Sequence, residues 1–304
     1  MFRLVVVVVC ALSTLSMPLP ALGALSWLYF ADLQGIRAVR TNGTGFTDVL
    51  PNGFAAPIEL RVDEAGSRVF FVNGAGANNW LSSTSITGGT VQNIHQATSS
   101  FINIAYNPTL DRVYGGDPGF DQIVGVNPNG SGATALVTTP NSNGFEVNDA
   151  TGQVYYTERF SPRIGRVNSN GAGNTTILMT SLITGMIDAW TIDLDIAAGH
   201  MYFGGRRSSD LTNRIQRANL DGTGFTDVLS TAGVIKALRL DVPNGKMYWA
   251  EGNLIRRANL DGTGLETVFT HSTTIWGLDV TPVPAPAGVS VFLGGLLALH
   301  RRRR

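Results

Sequence analysis

The chain has 304 residues, of which 43% are hydrophobic and 14% charged, a balance that supplies a large core and excludes a disordered, solvating chain. Its 36 glycines and 13 prolines favour a turn-rich, all-β architecture, because Gly supplies positive φ and Pro fixes turn corners. The formal charge is zero, but Arg3 and Arg301 to Arg304 lie at the ends, leaving 17 basic against 22 acidic side chains between them. An acidic middle excludes the clustered Lys and Arg that a nucleic-acid partner needs.

Met1-Phe2-Arg3 is a short basic start, followed by an apolar run from Leu4 to Leu12 and by Pro18-Leu19-Pro20-Ala21-Leu22-Gly23-Ala24. Residues 1–23 have the order of a secretory signal peptide with cleavage after Gly23; the alternative is a first core strand at Val5 to Val9. The single cysteine, Cys10, falls inside this segment, so the exported chain would carry no disulfide, thiol chemistry or Cys-bound zinc.

From residue 28 onward the chain repeats. An apolar residue precedes an aromatic pair or its remnant at Leu28-Tyr29-Phe30, Val69-Phe70-Phe71, Val113-Tyr114-Gly115, Val154-Tyr155-Tyr156, Met201-Tyr202-Phe203 and Met247-Tyr248-Trp249, at spacings of 41, 44, 41, 47 and 46. A period of forty-odd residues built from short strands predicts a β-propeller with one four-stranded blade per repeat. Six residues before five of these anchors stands a turn former (Asp63, Asn107, Asn148, Asp195, Asp241), which predicts a hairpin. After the anchors come Ile-led strands and Gly turns, as in Asn42-Gly43-Thr44-Gly45 and Asn129-Gly130-Ser131-Gly132. Asn42, Asn129 and Asn174 also match glycosylation acceptors, but the first two belong to the repeat's own turns.

The last two repeats, Ile215-Gln216-Arg217-Ala218-Asn219-Leu220-Asp221-Gly222-Thr223 and Ile255-Arg256-Arg257-Ala258-Asn259-Leu260-Asp261-Gly262-Thr263, resemble the I-x-R-A-N-L-D-G-T segment of low-density-lipoprotein-receptor class B repeats. The family's YWTD tetrad has counterparts in every repeat, among them Tyr29-Phe30-Ala31-Asp32, Tyr155-Tyr156-Thr157-Glu158 and Tyr248-Trp249-Ala250-Glu251; the resemblance is degenerate in repeats two and three, where the Ile-strand motif loses its Arg and Asp. The resemblance spans residues 28–280 and implies a six-bladed β-propeller, with the tetrad acids Asp32, Asp117, Glu158 and Glu251 as blade-building features. The chain's own order predicts how the ring closes. It starts at an anchor strand, Leu28 to Asp32, with no inner strand before it, and ends at an inner strand, Ile275 to Val280, with no anchor after it; pairing the two leaves no open edge.

In each inner strand the residues flanking one position are apolar and pack between blades, so the position between them faces the central channel: Arg61, Ala105, Glu146, Asp193, Arg239 and, in the closing blade, Gly277. Two acids then confront two arginines, which reads as a channel ion-pair network. The functional alternative is a polar or metal site on Glu146 and Asp193 with Asn103 or Glu59 above them, although two nearby arginines oppose a cation. At the entry to the inner strands stand Trp190 and Trp276, with Phe101 and Lys236 in comparable places. Aromatics over a groove suit a sugar or peptide ligand; the alternative is that both indoles cap blade interfaces.

Catalytic patterns are sparse. His95, His200 and His271 lie in different repeats without a His-x-x-x-His or Gly-x-Ser-x-Gly arrangement, and Gly74-Ala75-Gly76 lacks the Gly-Lys-Ser/Thr of a phosphate loop. No cofactor, metal or catalytic residue is expected. At the end, Pro284-Ala285-Pro286 precedes an apolar stretch from Gly288 to Leu299 and Arg301, Arg302, Arg303 and Arg304. This order resembles the bacterial PEP-CTERM sorting segment, with Ala285 where the motif has Glu; it implies processing by an exosortase-type enzyme, the alternative being a plain membrane tail anchor. The expected layout is a signal peptide at 1–23, the propeller at 24–281 and a sorting segment at 282–304. The expected function is a non-catalytic binding or structural module for an extracellular protein or polysaccharide, held at the cell surface or released. The enzyme alternative is a metal-dependent sugar-lactone hydrolase resembling gluconolactonase-type six-bladed propellers.

Overall fold

A computed structural model describes residues 26–51, 56–73, 79–97, 103–117, 122–138, 142–158, 163–183 and 185–281. The segments read as signal peptide and sorting signal, with Pro284, Pro286 and Arg301 to Arg304, lie outside the described residues, as does Phe101. Among the described residues no helix is long and apolar enough to cross a membrane.

The described residues form six four-stranded antiparallel sheets. Blade 2 is typical: an inner strand Pro57–Asp63, an anchor strand Arg68–Asn73, a third strand Trp80–Ser85 and an outer strand Gln92–Gln96. Blades 3, 4, 5 and 6 repeat this order from inner strands Ile104–Asn107, Ser142–Asn148, Met186–Asp195 and Ile235–Asp241. Blade 1 is assembled from both ends of the ring, with Gly277–Thr281 as its inner strand beside Trp27–Ala31. Their register runs from Trp27 opposite Thr281 to Ala31 opposite Gly277, which is the closure that the missing strands at the two ends predict.

The paired aromatics of the repeat have a simple cause. Successive side chains of a strand point to opposite faces, so each pair fills the gaps on both sides of its blade. Tyr29 packs against blade 2 while Phe30 packs against blade 6. Tyr155 and Tyr156 divide likewise between blades 5 and 3, and Tyr248 and Trp249 between blades 1 and 5. The core is therefore six clusters, one in each gap between neighbouring blades. In blade 3 the second aromatic is replaced by Gly115, and Tyr106 of its inner strand supplies a ring instead, 4.9 Å from Phe70.

The Gly turns lock each blade to the one before it. In blade 5 the Asp221 carboxylate accepts hydrogen bonds from the Thr223 backbone N–H at 2.9 Å and hydroxyl at 2.6 Å. Asn42 and Asn129 hold the same Asx-turn in blades 1 and 3, so those amide oxygens are turn acceptors. The following glycine has φ of +86° at Gly222, and a Cβ there would lie 2.0 Å from the Ile177 carbonyl oxygen of blade 4. Gly43, Gly88, Gly130, Gly171 and Gly262 make the same close approach to the outer strand of the preceding blade, which is blade 6 for Gly43. Both the left-handed backbone and the lack of space demand glycine.

Candidate functional site

The inner strands converge on the channel, which has two mouths with different chemistry. The lower mouth, at the C-terminal ends of the inner strands, is a cavity of about 310 Å³ lined by Arg61, Glu146, Asp193, Arg239 and Asp279 among others. Asp279 corrects the assignment of Gly277 to the channel. The triplet Leu278-Asp279-Val280 is the counterpart of Leu60-Arg61-Val62 and Leu238-Arg239-Leu240, two residues beyond the expected register. Gly277 faces the neighbouring blade: a Cβ there would sit 2.7 Å from Glu59 Cα, so the inner strands approach too closely for a side chain. Ala105, fully buried, packs in the gap between blades 3 and 4.

Arg61 contacts Glu59 at 3.1 Å and Glu146 at 3.1 Å; Arg239 contacts the same Glu59 oxygen at 3.2 Å and Asp279 at 3.5 Å. Glu59 thus bridges both guanidiniums, and the arginines face four carboxyls where the sequence suggested two. The carboxylates have a second task. An inner strand is the edge of its sheet, with backbone N–H groups that need acceptors. Asp193 of blade 5 accepts the Leu240 N–H of blade 6 at 2.7 Å, and Asp279 of blade 1 accepts the Val62 N–H of blade 2 at 2.7 Å. Burial in this ring pushes Glu59 and Glu146 up to about 8, Asp193 up to about 7 and Asp279 up to about 6, against the lowering pull of Arg61. Among the described residues no three His, Cys, Asp or Glu side chains are placed to hold a metal ion.

The tetrad acids hold local structure. Asp32 accepts the Gln34 and Gly35 N–H groups and pairs with His271 at 2.8 Å across the closure. Glu158, almost fully buried, receives Arg163 in a two-pronged contact at 2.7 and 2.8 Å. Glu251 accepts the Gly233 N–H at 2.6 Å and lies 3.4 Å from Arg256.

The upper mouth brings together three of the four residues singled out for recognition. Trp190, Lys236 and Trp276 line one cavity of about 220 Å³ with Ile58, Glu59, Asn103 and Asn143. Lys236 Nζ stands 5.0 Å from the Trp190 ring centroid and 4.4 Å from that of Trp276, between two indoles from different blades. A β-bulge causes this convergence. The pairing skips one residue at Ile58 in blade 2, at Trp190 in blade 5 and at Lys236 in blade 6, and shifts at Asn143-Gly144 in blade 4. The extra residue is released from the ladder and its side chain is re-aimed into the mouth. In blade 1, Trp276 precedes the paired strand and donates its backbone N–H to the Ala31 carbonyl at 2.8 Å. Ile58 and Asn143 are mouth residues that spacing does not reveal, because a bulge changes the facing of a residue without changing its type.

No protein-family model matches the chain, and no curated protein matches it by sequence. Solved structures do match by shape. A chain from the crystal structure of a nidogen/laminin complex superposes with a TM-score of 0.72 and 16% identity, covering 84% of this chain and 98% of that one. TolB from Acinetobacter baumannii superposes with a TM-score of 0.72 and 10% identity, covering 85% and 67%. At these identities the likeness is one of architecture, and this chain is a six-bladed β-propeller.

Proposed function

We propose that this protein is an exported, surface-associated binding propeller, without catalysis of its own, that takes an extracellular protein or polysaccharide partner at the upper mouth of its channel. The observation that carries this is the convergence of Trp190, Lys236 and Trp276 from three blades on one cavity, the first two through β-bulges. Indoles, with an apolar face and a polar edge, are enriched where proteins hold partners. The YWTD-like repeats of blades 5 and 6 and the nidogen/laminin match support a propeller used for binding. Export rests on the sequence of residues 1–23, and processing by an exosortase-type enzyme or anchoring through a membrane helix rests on Pro284, Pro286 and Arg301 to Arg304.

A panel of oligosaccharides and peptides, titrated into the purified full chain and followed by tryptophan fluorescence and calorimetry, tests this reading. The expected result is a ligand whose binding is lost in Trp190→Ala and Trp276→Ala proteins that melt like the parent. A ligand held equally by both variants would move the site elsewhere, and turnover of a sugar lactone would replace binding with hydrolysis.

A further inference from the structure

Five of the six blades carry an arginine at one of two positions that flank the first aromatic of the anchor pair on its own face. In blades 2 and 3 it precedes the apolar anchor residue, as Arg68 and Arg112. In blades 4, 5 and 6 it lies opposite the aromatic on the third strand, as Arg166, Arg217 and Arg257. The guanidinium stands 5.1 Å from the Phe70 ring, 5.9 Å from that of Tyr155 and 5.7 Å from that of Tyr248. Arg257 also donates to the Tyr248 hydroxyl at 3.3 Å and to the Thr41 carbonyl of blade 1 at 2.9 Å, with Glu266 as its counter-charge at 2.6 Å.

Blade 1 is the exception. Trp27 takes the first of the two positions and Ala38 the second, opposite Tyr29. A cavity of about 340 Å³ opens there between blades 1 and 2, lined by these three residues with Val49 and Ile86 among others. Tyr29 is only 6% exposed, yet among the described residues no hydrogen bond reaches its hydroxyl and no cation stands over its ring. Burial first, and the Glu64 carboxylate second, push that hydroxyl up to about 12. Glu64 is itself exposed and makes no ion pair among the described residues. Ile86 holds the place in blade 2 that Thr41 holds in blade 1: its N–H bonds the Ser67 carbonyl at 3.0 Å, as the Thr41 N–H bonds that of Ser26 at 2.9 Å. The Ile86 carbonyl is therefore the counterpart of the one that receives Arg257. The arginines near the cavity are already engaged, Arg37 by Asp48 at 3.0 Å and Arg40 by the Trp27 ring at 5.2 Å.

We infer that this cavity is a second binding site, which takes the arginine side chain of a protein partner. The guanidinium lies on the Tyr29 ring, donates to the Tyr29 hydroxyl and the Ile86 carbonyl, and has Glu64 as its counter-charge; the stem runs along Trp27 and Val49. The partner supplies what every other blade supplies for itself. A planar, weakly hydrated fork that stacks and donates in two directions fits this setting, and an ammonium does not. The cavity shares no lining residue with the upper mouth, so the inference stands apart from the use of that mouth.

Ligand-observed NMR on the purified full chain decides it, with acetyl-Gly-Arg-Gly-amide as the probe. The citrulline peptide keeps the shape without the charge, and the lysine peptide keeps the charge without the fork. The arginine peptide should bind, and both counterparts should bind at least about 5-fold more weakly. Tyr29→Phe keeps the ring and removes the hydroxyl, and should weaken binding by about 5-fold; Glu64→Gln should weaken it by about 3-fold. Ala38→Arg gives blade 1 the residue that blades 4, 5 and 6 carry. It should fill the cavity from within, abolish peptide binding and raise the thermal midpoint by about 2 °C or more. Trp190→Ala, at the upper mouth, should leave binding unchanged. Equal binding of the citrulline peptide overturns the site, as does undiminished binding to an Ala38→Arg protein that melts like the parent. Loss of binding in Trp190→Ala with no effect of Tyr29→Phe moves the arginine to the upper mouth and overturns it too. No binding of the arginine peptide to the parent overturns it whatever Ala38→Arg does to melting. If Ala38→Arg does not fold, Tyr29→Phe and Glu64→Gln carry the decision: binding unchanged in both overturns the site.

Discussion

Raising the pH from 4.5 to 8.5 should destabilise this propeller, and the ring of channel carboxyls says by how much. Asp279 is pushed from an ordinary 3.8 to about 6 by burial. A carboxyl whose pKa is raised in the folded state binds more protons folded than unfolded between the two values, so its contribution is complete below 3.8 and disappears as pH rises through 6. The part remaining above pH 4.5 is about 1.5 pKa units, or about 2 kcal/mol at 1.36 kcal/mol per unit. Glu59 and Glu146, raised to about 8, and Asp193, raised to about 7, add to the decline over the same interval and carry it onward to pH 8.5. Urea unfolding followed by tryptophan fluorescence should show the midpoint falling by at least about 1 M between pH 4.5 and 7, the share of Asp279 alone for a slope near 2 kcal/mol per molar. Asp279→Asn keeps a side-chain oxygen for the Val62 N–H and removes the titration, so its profile should be flatter over that interval by about 2 kcal/mol. A parent midpoint that is level or rises with pH would refute the claim that desolvation dominates in this ring. Below pH 4 the sign reverses, because Asp32 and Asp261 are lowered by their hydrogen bonds and their contributions are lost as they protonate.

Other perturbations probe the remaining parts of the structure. Gly222→Ala should cost at least about 2 kcal/mol more than Gly199→Ala in thermal unfolding: both glycines have positive φ, worth about 1–2 kcal/mol to an alanine, but only Gly222 also meets a carbonyl oxygen at 2.0 Å. Equal losses would show that the turn does not lock blades 4 and 5 together. Arg163→Ala removes the two-pronged charged contact on Glu158 and should cost about 1.5–3 kcal/mol in urea unfolding; a loss under about 0.5 kcal/mol would show that this contact does not hold the blade. Ending the chain after Trp276 removes the partner of Trp27–Ala31 and exposes its edge, so light scattering should detect association. A monomer that unfolds like the parent would show that closure is dispensable.

The fold was legible because its causes repeat. An aromatic pair such as Tyr155-Tyr156 must fill the gaps on both sides of one strand, and doing so in five of the six blades leaves a period that no single repeat has to carry. Closure was legible from one strand missing at each end. The channel was read with an error of two residues in the closing blade, where Gly277 took the place of Asp279; that strand pairs with Trp27–Ala31 from the far end of the sequence, so no hairpin joins the two and marks the register. The apolar flanks Leu278 and Val280 held the correct frame. The upper mouth was half legible. Trp190, Lys236 and Trp276 are conspicuous by type, but Ile58 and Asn143 enter through bulges, and one extra unpaired residue leaves no mark on composition or alternation.

The pairing of Gly277–Thr281 with Trp27–Ala31 also determines how the ring bears force. Trp276, a wall of the upper mouth, immediately precedes the strand that ends at Thr281 beside the lower mouth. A ligand pulling on Trp276 and a tether pulling beyond Thr281 would load that one strand lengthwise, so its covalent backbone carries the force and the five registered pairs with Trp27–Ala31 are spared. Drawing Trp27 and Thr281 apart, in contrast, loads one pair at a time from its end, and the same strands peel. The propeller is thus mechanically directional, stiff between its upper mouth and Thr281 and soft between Trp27 and Thr281.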